Sequence, residues 1–152
     1  MSIPSPSSGS AAPRLEAGRI AELVDIRFPQ IHAGGRTMLV EQVHNLSARV
    51  RMVADSRHIR PGGTISGPAM FALADFSVYV AIIASLGEPG FDWVTSSLNI
   101  NFLARPAPTD MTAVTKLIRL GRRTAVGEVE LYSDGVAHMV AHATANYALP
   151  RS

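Results

Sequence analysis

One carboxylate, Asp75, stands inside an otherwise apolar run spanning residues 69–86, between Leu73-Ala74 and Phe76. Aspartate is among the residue types least often buried without a partner, and an unpaired charge in apolar surroundings is expensive. Such a group must be hydrogen-bonded, protonated or open to a wet pocket. In a pocket it is suited to proton abstraction or nucleophilic attack. It could equally be a structural acid, held by Tyr79 one turn along or by an arginine from elsewhere. Upstream, Ser66-Gly67-Pro68 reads as a helix start, with Ser66 or Gly67 as cap and Pro68 at the first helical position. A helix start presents unpaired N–H groups and partial positive charge.

Other chemistries are excluded or find little support. The chain has no cysteine, which removes disulfides, zinc–thiolate sites and thiol nucleophiles. His138 and His142 fall on one strand face about 13 Å apart, too far to share a metal ion. Residues 62–67 lack the G-x-G-x-x-G spacing of a dinucleotide site and the Lys-Ser/Thr end of a phosphate loop. Ser66 is out of register for a G-x-S-x-G elbow. A triad of Ser66, His58 and Asp75 can be drawn but needs a geometry that spacing does not give.

The elements that must position Asp75 follow from pattern. The 152 residues are 47% hydrophobic and 17% charged, enough for one domain with a real core and unlike a disordered chain. So apolar a surface for the size favours an oligomer. Residues 1–13, rich in Ser, Pro and Gly, are expected to be a disordered tail, and residues 14–152 a single domain. Residues 14–29 suit an amphipathic helix ended by Pro29. Residues 37–44 and 46–55 read as a strand pair meeting at Asn45. The apolar run, nearly apolar all round, reads as a buried helix stopped by Gly87-Glu88-Pro89-Gly90. Strands follow over 93–104, 111–120, 124–132 and 136–149, with Asp134-Gly135 as a hairpin turn. In the first of these, Val94, Leu98, Ile100 and Phe102 are expected on one face, with Trp93, Thr95, Ser97 and Asn99 on the other. Ala137, Met139, Ala141, Ala143, Ala145 and Tyr147 share a face of the last strand, small enough for a helix to approach closely. The fold class is α+β, one antiparallel sheet wrapped around a long central helix with an N-terminal helix.

Net charge is +2 with scattered arginines and no basic stripe, so no nucleic-acid partner is indicated. No apolar run reads as a membrane span, and the N-terminus lacks a signal-peptide pattern. A cytoplasmic protein with no membrane partner is expected.

The stretch Ser66-Gly67-Pro68-Ala69-Met70-Phe71-Ala72-Leu73-Ala74-Asp75 resembles the signature of the phenylacetate-degradation (PaaI-type) hotdog thioesterases. There a His-Gly-Gly opens the helix and an aspartate follows nine residues after the His. Asn99-Ile100-Asn101-Phe102-Leu103-Ala104-Arg105-Pro106-Ala107, Gly121-Arg122-Arg123 and Ala141-His142-Ala143-Thr144-Ala145-Asn146-Tyr147 also resemble that family in order and spacing. The resemblance implies a hotdog fold and hydrolysis of acyl-CoA to free acid and CoA, without metal or other cofactor, by a homo-oligomer (a dimer or dimer of dimers, hence a homotetramer). It implies that Asp75 activates water or attacks directly, that Gly67 N–H holds the oxyanion, and that Thr95 orients the water, from the partner chain if the site lies between subunits. Ser66 stands where the family has His, and Arg60 where it has Asn. Ser66 could cap the helix or bond a carbonyl, and Arg60 could polarise the carbonyl or pair with Asp75. Met70, Tyr79 and Asn99 are expected to contact substrate, and Arg122 and Arg123 the phosphates of CoA. The alternative is a hotdog protein that binds an acyl-CoA or aromatic ligand without turnover.

Overall fold

Two α-helices and six strands, with short 3-10 turns, make up residues 11–151, the part that the computed structural model describes. Helix α1 (Ala17–Arg27) buries Ile20, Leu23 and Val24, three positions on one helical face, and ends at Phe28 before Pro29. Strands β1 (Met38–His44) and β2 (Ser47–Met52) pair antiparallel. Their turn puts Leu46 at φ 69, an unusual conformation for a branched residue. Leu46 N–H is held there by Ser85 Oγ at 2.8 Å.

Helix α2 (Gly67–Leu86) is capped by Ser66, whose Oγ accepts from Ala69 N at 3.2 Å. Pro68 is thus the second helical residue rather than the first. Gly87, at φ 80, ends the helix in a conformation that side chains resist. Four strands follow: β3 (Val94–Phe102), β4 (Met111–Leu120), β5 (Thr124–Ser133) and β6 (Ala141–Ala148). The six form one antiparallel sheet in the order β1-β2-β4-β5-β6-β3. β4, β5 and β6 are a meander, while β3 crosses to the far edge beside β6. The hotdog fold is the result, a sheet curved around α2.

The alanine-rich face of β6 is the face that meets the helix, with Ala141, Ala143, Ala145 and Tyr147 all buried. Approach is close on β5 too: a Cβ on Gly127 would sit 3.1 Å from Val78 Cγ1. Gly90 has no such option, because a Cβ there would fall 2.7 Å from the Ile83 backbone.

Three expectations need correction. Asp134-Gly135 does form a turn, with Val136 N–H bonded to Ser133 O, yet β6 starts only at Ala141. The connection is therefore a loop through residue 140. Helix α2 is long and apolar enough to cross a membrane by length and composition, unlike the expectation, but two-thirds of that stretch is packed inside the fold. Nor is it buried all round. Pro68, Phe71, Ala72, Asp75 and Tyr79, at positions i, i+3, i+4, i+7 and i+11, form a stripe that the sheet leaves at least partly open. The expected tail lies mostly outside the described residues; of its last members, Ala11 O accepts from Asn45 N.

Candidate active site

Asp75 sits on the open stripe of α2, where two hydroxyls meet its carboxylate. Thr95 Oγ1 donates to Oδ1 at 2.7 Å, and Tyr147 OH lies 2.7 Å from the same oxygen. Neither Tyr79 nor an arginine holds the acid. Tyr79 OH donates instead to Phe91 O at 2.7 Å.

Thr95 reaches Asp75 because of a bulge. Thr95 pairs with Tyr147, but Ser97 pairs with Asn146, so Ser96 is an extra residue. One extra residue reverses which side chains face the helix. Trp93 and Thr95 therefore point inward before the bulge, and Leu98, Ile100 and Phe102 after it. This corrects the strict alternation expected for β3. Thr95 and the Asp75 it contacts belong to one chain.

The carboxylate opens into a cleft of about 340 Å³ lined by Arg27, Phe28, Tyr79, Phe91, Trp93, Val94, Thr95 and Tyr147. Phe28 and Phe91 meet the Tyr79 ring edge-on at 5.9 and 5.8 Å, and Tyr147 stacks on it at 6.2 Å. Arg27 lies 4.5 Å above Phe91 and 3.7 Å from Asp92. Burial pushes the Tyr79 phenol above its ordinary value. Burial, and then the Asp75 charge, push the Tyr147 phenol up further. Both remain hydrogen-bond donors at neutral pH.

The other expected residues fall into separate places. Ser66 and Gly67 lie at the start of α2, beside an open apolar hollow formed with Pro68, Phe71, Ile100 and Phe102. At 1.5 Å rise per residue, Gly67 and Asp75 are about 12 Å apart along the helix. A single thioester carbonyl cannot touch both within one chain. Met70 is buried in the core, and Asn99 sits on the sheet face turned away from α2. Arg60 is exposed, close to Gly62 as Arg105 is, and is not paired with Asp75. Arg122 and Arg123 occupy the β4–β5 turn, where Leu149 N–H bonds Arg123 O. That turn adjoins the end of the sheet carrying Thr95 and Tyr147, since Ala148 pairs with both Val94 and Thr124.

The Ser66-His58-Asp75 triad does not form. His58 is buried in a capping box, its Nδ1 accepting from Asp55 N at 3.1 Å, and burial lowers its pKa. Ser66 Oγ is occupied as the α2 cap. Ser66→Ala is therefore expected to cost about 1 kcal/mol of stability, read as a melting-temperature drop of about 2–4 °C, while turnover changes less than about threefold. A complete loss of turnover in a folded Ser66→Ala protein would restore serine as a nucleophile. His142 pairs with Glu128 at 2.9 Å, and among the described residues no cluster of three or more His, Cys, Asp or Glu could hold a metal ion.

Sequence reasoning missed five lining residues, Arg27, Phe28, Phe91, Val94 and Tyr147. Tyr147 carried a signal, being the one large polar side chain on an alanine-rich face that had to meet the helix.

The model of the thioesterase superfamily matches residues 62–139, just over half the chain. The chain belongs to the thioesterase superfamily. A candidate thioesterase of Silicibacter sp. TM1040 is similar, at 32% identity and TM-score 0.80, over 94% of this chain and 97% of that one. Two more distant structures share the hotdog fold. Zebrafish thioesterase superfamily member 2 is 18% identical with TM-score 0.76, over 90% of this chain and 99% of that one. The Escherichia coli PaaI protein from the phenylacetic acid degradation operon is 19% identical with TM-score 0.73, over 90% and 94%. No curated protein sequence matches the chain. Membership of the thioesterase superfamily makes thioester hydrolysis the general chemistry for which the Asp75 cleft is read.

Proposed function

We propose that the protein hydrolyses acyl-CoA thioesters in the cytoplasm, with Asp75 as the catalytic carboxylate and the helix start of a second subunit as the oxyanion hole. The observation that carries this reading is the Asp75 carboxylate, anchored by hydroxyls on one oxygen only and facing a cleft walled by aromatic rings. An acyl chain enters that cleft. Asp75 takes a proton from water as the water oxygen bonds the thioester carbon. The carbonyl oxygen gains negative charge, its re-forming C=O expels CoA by breaking the C–S bond, and the thiolate takes the proton that Asp75 accepted from water. Direct attack by Asp75, through an anhydride that water later cleaves, uses the same residues.

With Gly67 and Asp75 about 12 Å apart along one helix, the oxyanion donor in this reading comes from a second copy of the chain, and the sheet edge supports that arrangement. Among the described residues β3 has no neighbour on its outer side, and Phe102 at its end, Leu103 after it and Phe71 nearby are 53%, 58% and 41% exposed. Two copies joined antiparallel along β3 would bring the Thr95 end of one chain to the Phe102 end of the other. Asp75 would then face Gly67 of the partner subunit across one thioester, giving two equal sites per dimer. A dimer of dimers is the larger assembly this allows. Arg122 and Arg123, at the same end as Thr95, supply guanidinium groups for the CoA phosphates.

The test is release of free thiol from short, medium and aromatic acyl-CoAs. Turnover of at least one class is expected. Saturable binding of acyl-CoA with no thiol release across all three would establish a binding protein instead.

A further inference from the structure

We propose that Tyr147, together with Thr95, is a positioning residue for Asp75, holding one carboxylate oxygen so that the other alone reacts. The inference rests on the reading of Asp75 as the catalytic acid. A carboxylate oxygen has two lone pairs for strong hydrogen bonds, and both on Oδ1 are addressed, by Thr95 Oγ1 and by Tyr147 OH. Among the described residues no donor reaches Oδ2. The torsion that turns a carboxylate about its own axis is soft and nearly two-fold, so an unanchored Asp75 would exchange its oxygens freely. Two donors on one oxygen stop that exchange and turn Oδ2 toward the cleft.

Tyr147 is itself fixed against the helix. Its one proton is shared between Oδ1 at 2.7 Å, the nearer acceptor, and the Asp75 backbone carbonyl at 2.9 Å, so one phenol registers the side chain against its own backbone. The ring is 3% exposed and stacks on Tyr79, which Phe91 O anchors in turn. Apart from its contacts to Asp75 and Thr95, the hydroxyl has nothing to do in this packing. The rest of that β6 face is alanine, and a phenylalanine would fill the same volume. Both acceptors of the hydroxyl, Oδ1 and the backbone carbonyl, belong to Asp75.

Tyr147→Phe in the full chain, assayed with the best acyl-CoA substrate, is the test. It is expected to lower kcat by about tenfold to a hundredfold, the scale of losing a hydrogen bond to a charged group, with KM within about twofold of wild type. Thr95→Val should lower kcat similarly, and Thr95→Ser, which keeps the hydroxyl, should recover most of it. A purely structural Tyr147 would show reduced stability with kcat per folded protein unchanged. That result, alongside an inactive Asp75→Asn, overturns this inference and leaves the reading of Asp75 intact. Should Asp75→Asn itself be fully active, the catalytic reading fails and the positioning role with it. If Tyr147→Phe does not fold, the infrared difference spectrum between wild type and Asp75→Asn decides. Widely split carboxylate bands, as for an anion bonded on one oxygen, support the proposal; the narrow splitting of an evenly hydrated carboxylate overturns it.

Discussion

Asp75→Asn is expected to lower kcat for thiol release by about a thousandfold, within the range for loss of a general acid–base group, with little change in KM. The two side chains have nearly the same shape, and an amide oxygen can still accept from Thr95 and Tyr147. The substitution therefore removes basicity and nucleophilicity while leaving the local hydrogen bonds to Oδ1 available. Melting temperature should stay within a few degrees of wild type, which separates lost chemistry from lost folding. Binding of intact acyl-CoA to Asp75→Asn, followed by calorimetry, should persist. Wild-type turnover in this variant would remove the carboxylate from the mechanism.

Phe71→Glu is the second large effect. Phe71 is 41% exposed on the open stripe of α2, midway between Gly67 and Asp75, beside the unpaired edge of β3. A charge there costs the isolated chain little, because the position already meets solvent. In a two-fold dimer it appears on both copies at one seam, taking charge out of water and replacing an aromatic contact. Sedimentation at micromolar concentration should change from dimer or larger to monomer. Turnover should fall by more than about a hundredfold, since each Asp75 would lose an oxyanion donor whose removal typically costs that much. A monomer with full turnover would show that one chain holds a complete site.

The fold was legible in this sequence because strong, separate signals agreed. The apolar run closed by Gly87 gave α2, the alanine face of β6 gave the surface it packs on, and the spacing from Ser66 to Asp75 resembled a known family. What stayed hidden depended on a single extra residue. Trp93 and Leu98 are both apolar and lie five apart, an odd spacing that strict alternation cannot place on one face. The parity break was in the sequence, but Thr95, Ser96 and Ser97 are all small hydroxyl residues and none marks itself as the bulge. Asp75 drew notice through its surroundings, yet its partners lay 20 and 72 residues away on two strands, where no local period reaches. Phe28 and Arg27 enter the cleft from α1 and its end, an approach that only the packed structure shows. Gly67 and Asp75 look like neighbours in a ten-residue motif, and the rise of a helix is what separates them.

Coexpression of Asp75→Asn with Gly67→Pro, under two different affinity tags, tests the shared site most directly. Proline at position 67 deletes the one N–H in question at a helix start; Ser66 already has the extended ψ of 152 that a following proline requires, and the added Cβ, 3.3 Å from the exposed Phe102 ring, asks only that this side chain shift slightly. Each homodimer should be nearly inactive. A mixed dimer built across β3 places both lesions in one site and leaves the other whole, so random pairing should restore about one quarter of wild-type thiol release. Activity no greater than the sum of the two single variants, in a preparation shown by its tags to contain mixed dimers, would contradict the account.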